Sequence, residues 1–270
     1  FNGSRNYPPG TLIEFFQRMG MNFGGDTNAS TGFDRTIYML ELPETTTSTL
    51  AEGLRVLTDY AGALILPDNE IDRERGVILS EKRARDSVEF RSFVAEFEFI
   101  LADSLFPHRM PIGTEEVIRE APRSAFADFY DTWYRPERMT VVAVGDFDPA
   151  AVEQQIITAF SPLTGRAPAR GEPDLGEISD APGVRVKHHH ESEAAATSVG
   201  IQTLVAHTPE PDSAAMRIRD LPRSLALAML NRRLAELAKQ EDAPFSSGQA
   251  YASEGYRFFR NAGIEITCQP

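Results

Sequence analysis

Cysteine is almost missing from this chain: Cys268 is the single one in 270 residues. A lone cysteine excludes an internal disulfide and with it a disulfide scaffold, while a reducing cytosol and an oxidising periplasm both stay compatible. Positive charge is also short. Lys and Arg number 27 against 40 Asp and Glu, a net charge of −13. That balance argues against nucleic acid and against anionic membrane surfaces as partners. No apolar run approaches the length of a membrane span, and no signal-peptide pattern opens the chain. There is no phosphate-binding P-loop, no dinucleotide fingerprint and no Gly-x-Ser-x-Gly elbow. The first residue is Phe1 rather than Met, and Cys268-Gln269-Pro270 falls inside a strand-like run. The chain therefore reads as a piece of something longer.

What is present is the composition of a globular protein, 41% hydrophobic and 25% charged. Helical periodicity or capping marks Thr11 to Met19, residues 50–65 behind a Thr49-Leu50-Ala51-Glu52 capping box, Glu70 to Arg83, Arg91 to Phe106, Arg123 to Tyr134, Pro149 to Phe160, and Ser213 to Lys239. Strands are expected over Arg35 to Leu42, over Met139 to Val144 as a buried apolar run, over Val184 to His190, over Thr197 to Val205, and after Gly248. Pro162, Pro168, Pro173 and Pro182 mark residues 161–183 as a linker. The expected organisation is a first domain over 1–163, a linker over 164–183, and the start of a second α+β domain over 184–270.

The helix around Glu70 to Arg83 holds the most informative pattern. Asp68 is its candidate N-cap. Glu74 and Glu81 are seven residues apart, close to two turns, so both leave one face. With Ile78 between them, that face is expected to turn inward. Carboxylates there need partners, either Arg or Lys on a neighbouring element or a metal ion with its histidines. The residues by themselves leave these open. His188 and His190 would share a face if Val184 to His190 is a strand, which makes them a second candidate metal pair; the plainer reading is a solvated strand start. His108 and His207 sit beside prolines and read as surface residues. Cys268 reads as a packed residue rather than a nucleophile.

An ordered set of segments carries a family resemblance. Phe1-Asn2-Gly3-Ser4, Asn28-Ala29-Ser30-Thr31, Asp34-Arg35-Thr36-Ile37-Tyr38, Glu74-Arg75-Gly76-Val77-Ile78-Leu79-Ser80-Glu81, Pro111-Ile112-Gly113-Thr114-Glu115 and Phe129-Tyr130-Asp131-Thr132-Trp133-Tyr134-Arg135-Pro136 resemble, in this order, the insulinase-like (pitrilysin, M16) zinc metallopeptidases. The likeness covers about residues 1–160, and Thr197-Ser198-Val199 with the helix behind it resembles the start of the family's second domain. The style is that of bacterial long-chain members.

The resemblance implies an α+β roll, an antiparallel sheet with helices on one side, followed by a related domain. It implies a zinc-dependent endopeptidase for extended peptides. Zinc in this family is held by the two histidines of a His-x-x-Glu-His motif and by a later Glu, which leaves a fourth position for water. Glu81 falls at the third ligand and Glu74 at the carboxylate that braces a ligand histidine. Asn28, Ala29 and Ser30 match the edge strand that receives substrate as an added strand. Phe1 matches a pocket-lining aromatic, with a core anchor as its plainer role. The His-x-x-Glu-His motif is not in this chain; in the family it lies just upstream of the segment that begins at Phe1. The expectation is a piece of an enzyme that does not cleave peptides alone and whose partner is the remainder of the chain or a second M16 subunit. The rival is a non-catalytic subunit that binds peptide or protein. The compartment is expected to be the bacterial periplasm or cytoplasm.

Overall fold

The computed structural model describes residues 2–22, 24–179 and 183–268. In chain order its helices and strands are α1 (Thr11–Arg18), β1 (Thr27–Thr31), β2 (Thr36–Leu40), α2 (Thr47–Gly62), α3 (Asp68–Ala84), α4 (Val88–Ile100), α5 (Glu115–Glu120), α6 (Arg123–Trp133), α7 (Pro149–Phe160), β3 (Thr197–Ala206), α8 (Ala214–Leu237), β4 (Ser247–Gly255) and β5 (Phe259–Cys268). The result is a mixture of helices and antiparallel sheets, as expected. Packing divides the chain into two units that do not follow its order: Phe1–Ala84 with Pro111–Pro173, and Arg85–Met110 with Asp174–Pro270.

The first unit is built on α2. Its start is capped by Thr46, whose Oγ1 accepts the Thr49 N–H at 3.3 Å, so the cap lies three residues before the expected one. The buried side of α2 and the Phe16 face of α1 form a core of Tyr7, Phe16, Met21 and Val56, against which Leu40 and Leu42 pack. A Cβ at Gly53 would stand 2.9 Å from Leu42 Cδ1, so the Leu42 side chain, just past β2, packs directly on the α2 backbone and would have to shift for any larger residue there. β1 and β2 form an antiparallel pair with Thr27 opposite Leu40 and Thr31 opposite Thr36. Tyr38 anchors this hairpin: its ring lies 5.3 Å from Tyr60, and its hydroxyl is 2.5 Å from the Tyr134 hydroxyl.

The proline-rich stretch after α7 is held along its first half. Arg166 donates to Asp131 Oδ1 at 2.7 Å, to Tyr130 O at 3.0 Å and to Ala61 O at 3.2 Å, and its guanidinium lies over the Tyr130 ring. Leu163 packs at Gly62, where an added Cβ would meet it at 2.7 Å.

The second unit holds a three-stranded antiparallel sheet in the order β3-β5-β4. The β4–β5 turn places Tyr256 and Arg257 at φ 51° and 57°, with Phe258 N–H bonded to Gly255 O. These are the φ signs of a type I′ turn, normally made with Asn and Gly. Here the Tyr256 ring is gripped by Phe97 and Phe106, which offsets the backbone cost. On the sheet, Asn231 of α8 both donates to Ala250 O and accepts from Ala250 N–H, which ties α8 to β4.

Two expected strands do not form. Met139 to Val144 forms no strand, and Val142 and Val144 are 76% and 92% exposed. Among the described residues β1 and β2 pair only with each other, so this apolar run has β-propensity but no neighbour to satisfy its N–H and C=O groups. Val184 to His190 is likewise no strand, and Val184 and Val186 are exposed. The helix expected over Arg91 to Phe106 is Val88–Ile100, capped by Ser87, followed by a short 3₁₀ turn at Phe106–Arg109. The helix α5 was not expected: Thr114 caps it, its side chain accepting the Val117 N–H at 3.3 Å.

Candidate functional site

The helix α3 has two chemically distinct sides. Leu79 is its buried residue. On the same side Arg75 donates to Ile118 O and to Ala121 O, carbonyls at the end of α5 that have no partner within that short helix. About two turns on from Arg75, Lys82 Nζ donates to Gly113 O at 2.8 Å. At the C-terminal end of α5 the Arg75 cation is favoured by both hydrogen bonding and the helix dipole, whereas Gly113 precedes the α5 N-cap and its contact with Lys82 is a hydrogen bond alone. These contacts fix α3 against residues 113–121.

Glu74 and Glu81 stand on the opposite side. Both are exposed, and Val77 between them is 54% exposed. At 100° per residue the three lie nearly half a turn around the helix from Leu79. The shared face of the two carboxylates is therefore as expected from spacing. Its inward orientation is corrected: Leu79, with Arg75 and Lys82, claims the inner side, and Ile78 sits on the flank. Asp68 is the first helical residue rather than the cap, and the Glu70 and Ile71 N–H groups bond to Pro67 O.

The chain start leads onto this helix. Phe1 lies outside the described residues. Its neighbour Asn2 donates from Nδ2 to Glu70 in the first turn of α3. Ser4 and Asn6 are fixed by Asp59, a carboxylate on α2 only 3% exposed. Asp59 accepts the Ser4 hydroxyl at 2.5 Å, the Asn6 N–H at 2.9 Å and Asn6 Nδ2 at 2.8 Å. Three donors are what a buried carboxylate needs. Sequence reading passed over Asp59, although an Asp flanked by Leu54, Val56 and Tyr60 on an amphipathic helix was a visible signal.

The β1 strand holds Asn28, Ala29 and Ser30, and all three are exposed. The flanking bonds set the direction of every backbone group. Gly32 N–H donates to Arg35 O and Glu41 N–H to Asp26 O. In an antiparallel ladder, bonded pairs alternate. Asn28 and Ser30 therefore turn their N–H and C=O groups to Met39 and Ile37 on β2, whereas Thr27, Ala29 and Thr31 turn theirs to the open edge. An incoming strand would meet Ala29 and Thr31.

The imidazoles are elsewhere in the fold. His189 Nε2 is 3.0 Å from Glu191 Oε1. Glu191 is in turn bonded to Arg91, which holds its carboxyl below the usual range. His188 and His190 do not share a strand face, because no strand forms there. His207 is not a surface side chain: it is 6% exposed and stands 3.3 Å from Glu254. It directly follows β3, and its N–H bonds to Phe258 O in the β4–β5 hairpin. Among the described residues no group of three or more His, Cys, Asp or Glu side chains is placed to hold a metal ion. The residues described here do not by themselves fit a zinc site; α3 offers carboxylates without imidazoles.

Residues 1–97 match Insulinase (Peptidase family M16), and residues 121–256 match Peptidase M16 inactive domain. The chain belongs to the insulinase-like M16 peptidase family. It is 36% identical over 148 residues to the probable zinc protease PqqL of Escherichia coli, 55% of this chain and 16% of that protein. It is 29% identical over 253 residues to a zinc protease PQQL-like protein of Arabidopsis thaliana, 91% of this chain and 26% of that one. The crystal structure of the first half of the periplasmic protease PqqL from Escherichia coli superposes with a TM-score of 0.87 at 26% identity, covering 100% of this chain and 57% of that chain. The chain thus spans about a quarter or less of the length of these two curated relatives. No helix among the described residues is long and apolar enough to cross a membrane.

Proposed function

We propose that this chain is part of a zinc-dependent endopeptidase for extended peptides, working in the bacterial periplasm or cytoplasm. Glu81 serves as a metal ligand and Glu74 as the carboxylate that braces a ligand imidazole. Phe1 contributes to substrate binding, and β1 receives the substrate through backbone groups of Ala29 and Thr31, with Asn28 and Ser30 on either side of Ala29. The observation that carries this reading is the two-sided character of α3. Arg75, Leu79 and Lys82 lock one side, and the helix presents Glu74 and Glu81 together on the other. A ligand carboxylate must be held in position by its scaffold, and the locked side does this. The two imidazoles and the general base come from a further portion of the same protein or from a second M16 subunit, so these 270 residues alone do not cleave peptides.

The test is substitution in the whole protein. Glu81→Ala abolishes zinc retention and peptide cleavage together. Glu74→Gln lowers zinc affinity or activity by roughly 10- to 100-fold, the usual effect of removing an outer partner of a ligand. Unchanged zinc content and cleavage in Glu81→Ala would remove Glu81 from the site. A whole protein that binds peptide but cleaves none, with or without zinc, identifies the non-catalytic subunit instead.

A further inference from the structure

The open edge of β1 is already partly occupied. Ala29 N–H, one of the groups turned outward, donates to the side-chain Oδ1 of Asn28 at 2.8 Å. Thr27 C=O, two residues back on the same edge, accepts the Gly24 N–H at 3.2 Å. Among the described residues the next outward groups, Ala29 C=O and the N–H and C=O of Thr31, hold no partner within the protein. So the edge is closed at one end by a turn, closed at Ala29 N–H by a side chain, and open beyond. The two closures differ in kind. The Gly24 bond belongs to the backbone of the turn. The Asn28 bond belongs to an exposed carboxamide that can rotate away about its own side-chain torsions.

We propose that Asn28 is a removable cap on the β1 edge, a specificity-determining residue that an incoming peptide must displace before its carbonyl can accept the Ala29 N–H. This rests on the reading of β1 as the substrate strand and adds a barrier to it. Exposed strand edges invite unwanted pairing, and a side chain that satisfies the central donor lowers that tendency. A segment offering a single carbonyl exchanges one hydrogen bond for another and gains nothing. A segment in extended form also reaches Ala29 C=O and Thr31, and those additional bonds carry its binding.

The experiment measures binding of a fluorescein-labelled decapeptide to the whole protein by stopped-flow anisotropy, before turnover. Asn28→Ala tightens the dissociation constant about threefold to tenfold, the equivalent of one net hydrogen bond no longer exchanged. Asn28→Asp, whose carboxylate is the stronger acceptor, weakens binding relative to the natural residue. An unchanged or weaker affinity in Asn28→Ala overturns the cap. Ala29→Pro separates this from the reading beneath it. The Ala29 N–H faces outward, so proline there breaks no bond to β2, and far-UV circular dichroism checks that the hairpin survives. Ala29→Pro abolishes binding if β1 receives the peptide. If Ala29→Pro binds normally, the substrate-strand reading falls and the cap with it. If only Asn28→Ala fails, the strand reading stands. Should Ala29→Pro not fold, Thr31→Pro, at the next outward donor along the edge, takes its place with the same expectations.

Discussion

The two sheets of this protein are open in different ways. In the β1–β2 hairpin the open edge is short and small-residued: Asn28, Ala29, Ser30 and Thr31 are exposed and polar or nearly so. The hairpin is held from one side through Tyr38 and Leu40, which pack on α2 and its surroundings. In the β3-β5-β4 sheet the exposed strand is ten residues long, and Val199, Ile201 and Val205 leave one face of it in the open, Ile201 at 78%. Ile264, opposite Ile201 on β5, extends that face. A polar edge with a firm anchor is suited to transient pairing, because a strand added there exchanges backbone bonds and little else. A contiguous apolar face is suited to lasting cover, because leaving it in water forfeits the hydrophobic term. The same strand geometry thus leaves a polar backbone edge open in one unit and an apolar side-chain face open in the other.

The largest effect is expected from cutting the hairpin's anchor. Tyr38→Ala removes a half-buried ring and the bond to Tyr134, at a cost of about 3 kcal/mol in urea unfolding, with β1 and β2 amides losing hydrogen-exchange protection first. Burial, with the Tyr134 bond, raises the Tyr38 phenol above its ordinary range, so it stays protonated across the neutral range. Tyr38→Phe should cost only about 1 kcal/mol, since the ring remains. If Tyr38→Ala leaves hairpin protection intact, the anchor lies elsewhere and the contrast with β3 weakens.

A smaller effect on stability is expected from the apolar face. Val199→Lys with Ile201→Lys should change unfolding free energy by less than about 0.5 kcal/mol, because both side chains are exposed. The same pair should reduce self-association of the 270-residue chain in sedimentation velocity. Association that survives both lysines would assign it to another surface.

The smallest effect is acid sensitivity of the β4–β5 hairpin. Arg260 and then His207 hold the Glu254 carboxyl below its ordinary value. A group with a depressed folded pKa contributes stability above its unfolded pKa, about 4.3, and loses it as pH falls through the folded value. Amide exchange in β4–β5, corrected for intrinsic rates, should therefore quicken below about pH 4. The Tyr38 phenol, raised above its ordinary range, keeps its proton there, so β1–β2 should show no matching step. A parallel loss in both hairpins would point to general acid unfolding.

The sheets also show where sequence reading succeeded and failed. Helices with strong caps or a proline start were legible: α7 runs from Pro149 to Phe160 as expected, and the helix expected over Ser213 to Lys239 is α8, with Ser213 as its cap. β1 and β2 were legible through their segments' resemblance to the family and through alternation in Thr36–Leu40. Met139 to Val144 was not, because an apolar run reports the wish for a ladder and not its presence. His207 was misread because flanking prolines describe local backbone, while burial is set by a hairpin more than forty residues away. The seven-residue spacing of Glu74 and Glu81 came straight from helix geometry. Which way that face turns did not, since Leu79 and two cations bonded to distant carbonyls decide it.

By itself the sequence determined the helix periods, the common face of the two carboxylates and the family to which the segments belong, all of which depend on neighbours within a few residues or on their order along the chain. Only the tertiary structure decided that Glu74 and Glu81 face outward, that Ala29 and Thr31 rather than Asn28 and Ser30 present their backbone to the open edge, and that Asn28 closes part of it. Those are questions of which long-range partner claims each group. Hydrogen-bond parity across a ladder and competition for one side of a helix are settled between elements far apart in the chain.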